Sequence, residues 1–181
     1  KKGSFGSNYG IRAVFEAIQI EDTENRFITE FVPATNENFY DRRLFGALEL
    51  EYNYESYDNK LNPTRGMTFF LQSGGKTELE ETERTYGYIN SNLGFYNAIS
   101  RDRKLVLKTD VRTQFRIGNR NNFLFYQAAN IGGRNSLRGF RRERFTGRNS
   151  FVGSADLRYS FRQFKTSLVP LQIGGFGGFD V

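Results

Sequence analysis

The feature that most constrains this chain is a strict alternation of apolar and polar residues over long segments. Between Lys104 and Ile117, no odd-numbered position carries a charge, whereas all but one of the even positions hold charged or amide side chains. The same period of two runs through Ser150–Arg162, Leu44–Glu55 and Tyr9–Gln19. Because successive side chains of a strand point to opposite faces, each segment predicts a β-strand with one apolar and one polar face.

The length of these strands favours a membrane barrel. They run for about 11–14 residues, whereas soluble strands have about 5–6 and a tilted membrane-spanning strand needs about 9–11. Weaker alternation predicts four more strands and no helix, giving about eight strands in all. The weaker segments are Gly66–Ser73, Tyr86–Ala98, Arg26–Val32 and Leu168–Val181.

The predicted connections also alternate in length. Short turns are expected near Glu21–Asn25, Asp58–Thr64 and Ser100–Asp102, and longer loops near Ala34–Arg43, Gly74–Arg84 and Gly118–Asn149. Short turns at one end and long loops at the other are typical of outer-membrane barrels. The predicted fold is therefore all-β, a transmembrane antiparallel up-and-down β-barrel. A soluble up-and-down barrel or sandwich is the alternative.

Composition excludes several classes of function. No run of 18 apolar residues exists, so neither a transmembrane helix nor a signal peptide is predicted. Without Cys or His, the segment has no disulfide, thiolate metal site or histidine-dependent triad. We therefore expect no catalytic residues, no metal and no other cofactor within it. The net charge of +6 suits nucleic acid, anionic lipid or an anionic polysaccharide headgroup without choosing among them.

One motif stands out in the longest predicted loop. Gly132 and Gly133 are followed by Leu137-Arg138-Gly139-Phe140, here called the loop-lock motif. The next strand carries Asp156-Leu157-Arg158, and the last carries Phe179-Asp180. In order and spacing these segments resemble the outer-membrane protein assembly and transport barrels, which include the BamA insertase and the two-partner secretion transporters and share a bacterial surface antigen domain. The turn Asn62–Gly66 is similar to a periplasmic turn of that family.

The resemblance implies both a topology and a role. Family barrels have sixteen strands with the motif loop between the eleventh and twelfth, so this chain would supply strands six to thirteen. Because it begins with Lys1 and ends inside a predicted strand, we expect residues 1–181 to be part of one C-terminal outer-membrane barrel domain. The implied function is insertion, assembly or translocation of polypeptides at the bacterial outer membrane. The implied partners are outer-membrane lipid or lipopolysaccharide, unfolded outer-membrane proteins or secreted polypeptides, and assembly-complex lipoproteins, with no nucleic acid.

Strand parity predicts what the motif arginine contacts. Asp156 lies on the charged face of its strand, and Asp180 lies opposite the apolar set of the last strand. Both carboxylates therefore point into the lumen if the apolar faces meet lipid. A planar guanidinium such as that of Arg138 pairs bidentately with carboxylates. Gly139 allows a tight bend, and Phe140 is expected to pack in the lumen beside it. The resemblance implies that Arg138 locks the loop to the inner wall.

Other interpretations remain open from the residues alone. The loop arginines with Phe140 and Phe145 also resemble a nucleic-acid patch, although no nucleic-acid motif surrounds them. The acidic run 78–83 is expected to be a solvated loop tip, since its spacing is not that of a calcium loop. Asp156 and Asp180 are less suited to glycoside hydrolysis than to pairing with Arg138. Alternative functions are a secretion pore for one dedicated partner, a passive porin, or an anchor barrel fused to a patatin-like or phosphoesterase hydrolase.

Overall fold

The computed structural model describes residues 4–21, 39–80, 84–119, 122–134, 136–165 and 170–181. Within those ranges the only helix is one 3-10 turn, Phe125–Gln127, and no helix is long and apolar enough to cross a membrane. The strands are β1 (Ser4–Ile18), β2 (Arg43–Tyr57), β3 (Gly66–Glu78), β4 (Thr85–Ala98), β5 (Leu105–Ile117), β6 (Ala129–Ile131), β7 (Phe145–Gly147), β8 (Asn149–Lys165) and β9 (Pro170–Asp180).

Seven strands form one antiparallel sheet in the order β1-β2-β3-β4-β5-β8-β9. The remaining two, β6 and β7, pair with each other inside the connection between β5 and β8. Pairing of each strand with its neighbour along the chain is up-and-down topology, as the sequence predicted. The chain is therefore an all-β, up-and-down antiparallel sheet that forms part of a barrel wall.

Most of the predicted strands are confirmed, with ends shifted by a few residues. The four long alternating segments are β1, β2, β5 and β8, and three of the weaker ones are β3, β4 and β9. The predicted strand Arg26–Val32 lies outside the described residues, as does most of the short turn predicted before it. In the described part of the sheet, β1 pairs directly with β2, from Ser4 opposite Tyr57 to Ile18 opposite Arg43.

The predicted loop Gly74–Arg84 is wrong over its first half. β3 continues through Gly74 and Gly75 to Glu78, so the connection to β4 spans only residues 79–84. A Cβ on Gly74 would lie 2.7 Å from the Leu48 carbonyl oxygen and from the Tyr88 hydroxyl oxygen. The glycine therefore marks a close approach of neighbouring groups within a strand, not a turn. The short β6–β7 ribbon was not predicted.

The two faces of the sheet have opposite chemistry. On the outer face large apolar side chains are exposed, with Tyr9 at 89% and Phe15 at 79%. The inner face instead buries charged groups, with Glu78 at 1% and Asp110 at 8% exposure. Such a distribution is the reverse of a soluble protein and suits a wall with hydrocarbon outside and a polar lumen inside. The exposed outer set also includes Ile11, Leu48, Leu50, Val111, Phe115, Phe151 and Leu157.

A chain of polar contacts crosses the inner face from β1 to β5. Arg12 Nε donates to Glu49 Oε2 at 3.0 Å, and Gln72 Nε2 donates to the same oxygen at 3.3 Å. Asn90 Nδ2 then donates to Gln72 Oε1 at 2.8 Å, and Arg116 Nη1 donates to Asn90 Oδ1 at 2.9 Å. Each strand thus satisfies polar groups of the next. A hydrogen bond of this kind contributes about 1 kcal/mol net to the free energy of unfolding.

Candidate functional site

The β5–β8 connection, residues 118–148, returns to the inner face of the sheet that it leaves. Arg116 Nε of β5 donates to the Gln127 carbonyl at 2.7 Å. Gln114 and Asn130 exchange two hydrogen bonds, from Gln114 Nε2 to the Asn130 carbonyl at 3.4 Å and from the Asn130 amide to Gln114 Oε1 at 3.2 Å. These contacts lay the first part of the loop along the wall.

The loop-lock motif lies on a compact backbone turn that begins at the glycine pair. The Gly133 amide donates to the Phe140 carbonyl at 3.1 Å, and the Ser136 amide donates to the Gly133 carbonyl at 3.1 Å. Gly132 and Gly133 have φ of +128° and +89°, where side chains are disfavoured. A Cβ on Gly132 would also lie 2.3 Å from the Arg141 carbonyl oxygen. The closed turn projects Arg138 towards the wall.

Arg138 grips Asp180 of β9 through four hydrogen bonds. Its Nε donates to Oδ1 at 3.1 Å and to Oδ2 at 2.8 Å, and its Nη2 donates to Oδ1 at 2.6 Å. Its backbone amide adds a bond to Oδ2 at 2.8 Å. The Asp180 side chain is only 5% exposed, whereas that of Arg138 is 34% exposed. Parallel guanidinium–carboxylate contacts of this kind are among the strongest and most directional in proteins.

Asp156 of β8 completes the site from the neighbouring strand. Its Oδ1 lies 2.7 Å from Arg138 Nη1, with the geometry of an ion pair, not of a directed hydrogen bond. The register places Ser154 opposite Asp180, so Asp156 and Asp180 are diagonal neighbours on one face. The Asp156 carboxylate occupies the space above Gly178, where a Cβ would lie 2.0 Å from its Oδ1. The structure therefore brings the motif arginine and both predicted carboxylates together.

The charge of Arg138 is stabilised by this environment. The contacts with Asp180 and then with Asp156 raise the pKa of the guanidinium above its ordinary value, and burial opposes that shift. Because an arginine is charged at any physiological pH, the ion pairs do not depend on titration of the loop side. Partial exposure of the guanidinium limits their strength, since solvent screens exposed ion pairs.

The other motif residues shape the loop. Leu137 is half-buried, and Gly139 adopts φ +87° with open space around it. Phe140 packs edge-on against Phe145 of β7 with ring centroids 5.3 Å apart, while remaining 49% exposed. Its described aromatic contact is therefore with the loop itself, and it ties the turn to the β6–β7 ribbon.

A polar cavity of about 680 Å³ separates part of the loop from the wall. Arg112 and Ser150 line it from β5 and β8, and Arg134 and Ser136 line it from the loop. The loop is therefore held at discrete anchors and does not fill the polar space beneath it. Side-chain contacts across such a space are easier to break than those of a dry core.

Glu78 is a residue whose environment sequence reasoning predicted incorrectly. The acidic run 78–83 was expected to be solvated, but Glu78 is 1% exposed at the end of β3. Arg43 Nη1 donates to one carboxylate oxygen at 2.9 Å, and Arg84 Nη1 donates to the other at 3.1 Å. Arg43 and Arg84, which lie at the ends of two predicted loops, were the sequence features that could have indicated ion pairs for Glu78. Within the described ranges, no group of acidic side chains is arranged to hold a metal ion.

Comparison with known proteins bears on the whole wall. A family profile described as the Omp85 superfamily domain matches residues 6–171, which include Arg138 and Asp156, whereas Asp180 lies just beyond the match. No curated protein matches the chain. The matched residues cover most of the sequence and nearly all of the large sheet, and they end two residues into β9. With its antiparallel sheet, its exposed apolar outer face and this match, the chain belongs to the Omp85 superfamily.

Proposed function

We propose that this chain forms part of the wall and the internal loop of an outer-membrane barrel that inserts, assembles or translocates polypeptides. Membership of the Omp85 superfamily supports transport or insertion at the outer membrane. The exposed apolar outer face and the polar inner face support a position in the bilayer.

The observation that carries the proposal is the anchoring of a long loop to the inner wall. Arg138 joins the loop to Asp180 and Asp156 on two adjacent strands, and Arg116 and Gln114 hold its first part. A loop held by a few partly exposed polar contacts closes a lumen at rest and is released by modest binding energy. A passive porin has no need of such a device, because its pore conducts steadily.

The proposed mechanism uses polypeptide recognition and needs no nucleotide, metal or other cofactor. An extended cargo segment adds to the edge of a sheet through backbone hydrogen bonds. The alternating side chains of the cargo then determine which of its faces points to the lumen and which to the lipid. In this proposal the Arg138 contacts hold the loop in the lumen until cargo displaces it. The wall supplies the outer apolar face that keeps the barrel in the membrane.

The proposed partners follow from the two faces. Unfolded outer-membrane proteins or secreted polypeptides are the cargo of the lumen, and assembly-complex lipoproteins are accessory partners. On the outer leaflet, lipopolysaccharide presents anionic groups to the loop. Arg141 and Arg144 of this loop are exposed and basic, which suits that contact.

Replacement of Arg138 tests the proposal. In Arg138→Ala we expect a barrel that still inserts, a loop that is cleaved roughly thirty- to a hundred-and-fiftyfold faster by added protease, and reduced assembly or secretion, because about 2–3 kcal/mol of stabilisation from both carboxylate contacts is lost. Arg134→Ala is the matched control, because Arg134 lies in the same loop and has neither an ion pair nor a hydrogen bond in the described structure. Unchanged activity with unchanged protease resistance in Arg138→Ala contradicts the proposal.

Depletion of the protein identifies the cargo. Loss of many outer-membrane proteins indicates a general insertase, and loss of one secreted protein indicates a secretion pore with one dedicated partner. If quantitative proteomics of the envelope finds neither, both transport functions fail. An anchor barrel for a hydrolase domain is the function that then remains.

A further inference from the structure

Arg158, two residues after Asp156 on β8, reaches the turn between β2 and β3. Its Nη2 donates to the Pro63 carbonyl at 2.6 Å, across 95 positions of sequence. Its guanidinium also lies 5.2 Å from the ring centroid of Tyr96 on β4. Pro63 is buried although it belongs to a connection between strands. The turn between β2 and β3 is therefore packed against the inner face of the sheet and is not surrounded by solvent at Pro63.

The turn is rigid enough to transmit that contact. Asp58 Oδ1 accepts hydrogen bonds from the amides of Thr64 at 2.8 Å and Arg65 at 3.1 Å, and its other oxygen accepts one from the Thr64 hydroxyl. The Asp58 amide returns a bond to the Arg65 carbonyl at 3.1 Å. A turn closed in this way presents the Pro63 carbonyl as a fixed acceptor.

The anchors of two opposite ends of the sheet thus meet on one short stretch of β8. The connection 118–148 lies at the end of the sheet where the long loops are, and its Arg138 forms an ion pair with Asp156 of β8. The turn 58–65 lies at the other end, and its Pro63 carbonyl accepts a hydrogen bond from Arg158 of β8. Asp156 and Arg158 share the inner face and are separated by about 7 Å along the strand. That separation is at the limit of the range within which the effects of two substitutions need not add.

The hydrogen bonding of Arg158 is incomplete in the observed arrangement. Its Nε is buried without a hydrogen-bond partner among the described residues. An unsatisfied buried donor is unfavourable, so a movement that gave Nε an acceptor would offset part of the free energy lost when the Pro63 contact breaks. The strand is irregular just beyond it, with a register shift between Ser160 and Gln163. The unpaired donor and the register shift therefore both lie within a few residues of the two anchors on β8.

We propose that Arg158 is a positioning residue that couples the two ends of the lumen. It holds the β2–β3 turn on the wall and keeps Asp156 placed for Arg138, so that release of the loop loosens the turn and release of the turn loosens the loop. The inference rests on the loop being the gate of the proposed function. Its test needs no transport activity, and its failure is therefore distinguishable from failure of that function.

The experiment uses cysteine accessibility in the intact protein, which has no native cysteine in this segment to interfere. One reporter is Asn62→Cys in the turn and the other is Ser136→Cys in the loop, both at half-buried positions. A membrane-impermeant maleimide is added to purified protein in detergent, and labelling rates are measured by mass spectrometry. Arg158→Gln is the test variant. Arg101→Gln is the control, because Arg101 is an exposed arginine in the turn 99–104 at the same end.

We expect Arg158→Gln to accelerate labelling at position 62 about tenfold, as for loss of one charged hydrogen bond, and at position 136 about threefold. Arg158→Lys should accelerate labelling at both positions less than Arg158→Gln does, since lysine keeps the charge and one hydrogen-bond donor. In an Asp156→Asn background the effect of Arg158→Gln on position 136 should vanish. Acceleration at position 62 alone, or an undiminished effect on position 136 with Asp156→Asn, overturns the coupling. If Arg158→Gln does not fold, Tyr96→Leu replaces it and must move both rates in the same direction.

Discussion

The unequal engagement of the two carboxylates leads to a sharp prediction about the loop lock. Asp180 accepts four hydrogen bonds from Arg138 and is 5% exposed, whereas Asp156 makes one ion pair and is 17% exposed. Asp180→Asn and Asp156→Asn remove one charge each and keep the side-chain volume. We expect Asp180→Asn to release the loop far more than Asp156→Asn does.

The contacts give the expected magnitude. A buried charged hydrogen bond contributes about 1.5–3 kcal/mol, but Arg138 is 34% exposed and solvent screening reduces that value. In Asp180→Asn the amide oxygen still accepts the backbone bond and the Asp156 ion pair remains. A net loss of about 2 kcal/mol increases the open population of the loop roughly thirtyfold. Asp156→Asn, which leaves the bidentate grip intact, should cost about 0.5–1 kcal/mol, or roughly two- to fivefold.

Limited proteolysis of the loop in folded barrels measures both effects. Under conditions where reclosing is faster than cleavage, the cleavage rate follows the open population. The double variant tests whether the carboxylates act through the same arginine, because its effect should differ from the sum of the single effects. Equal effects of the two substitutions, or a larger effect of Asp156→Asn, would refute the inference that the β9 carboxylate dominates the lock.

Two further predictions concern the surroundings of the lock. Gly178→Ala should release the loop and lower the thermal stability of the barrel, because its Cβ would lie 2.0 Å from Asp156 Oδ1, whereas Gly177→Ala, with open space at its Cβ, should change neither proteolysis nor melting. The pKa of Asp58 is lowered: burial alone would raise it, but hydrogen bonds from Thr64 and the Arg65 amide outweigh burial. The stabilisation of the turn is therefore fully present above the unfolded pKa of about 3.9 and is lost as pH falls through the lower folded value. Hydrogen-exchange protection factors of residues 58–65, which correct for the intrinsic effect of pH on exchange, should stay high at neutral pH and fall only in acid, and Asp58→Asn should abolish that acid dependence.

Strand parity was enough to predict which residues share the lumen face, and there the sequence and the structure agree. Alternation depends only on local backbone geometry, so Asp156 and Asp180 could be assigned to one face from their own strands. Which carboxylate dominates could not be predicted, because it depends on the register that sets Ser154 opposite Asp180. Register reflects interactions between strands, not within one.

The contacts that sequence reasoning missed are those between elements far apart in the chain. Arg158 and Pro63 are separated by 95 positions, and their contact depends on how the sheet curves and how the turn folds inward. Glu78 looked like one of several solvated acids, although among the described residues of that run, 78–80, it is the acid that a strand carries. The pair Gly74-Gly75 could be either a turn or a close approach, because glycine serves both, and the Leu48 carbonyl and the Tyr88 hydroxyl beside Gly74 identify a close approach there.

The strength of the lock bears on how the lumen can open. A closing free energy of about 2–4 kcal/mol leaves an open population of roughly 0.1–3% at rest. Cargo that binds only the open arrangement shifts that equilibrium by its preference for that arrangement, and about 5.5 kcal/mol moves a two-state equilibrium from 1:99 to 99:1. A dry apolar anchor of the same area would hold more tightly and would need more cargo binding energy to release. In the proposed function, a single arginine held by two carboxylates would therefore be strong enough to close the lumen and weak enough for a polypeptide to open it.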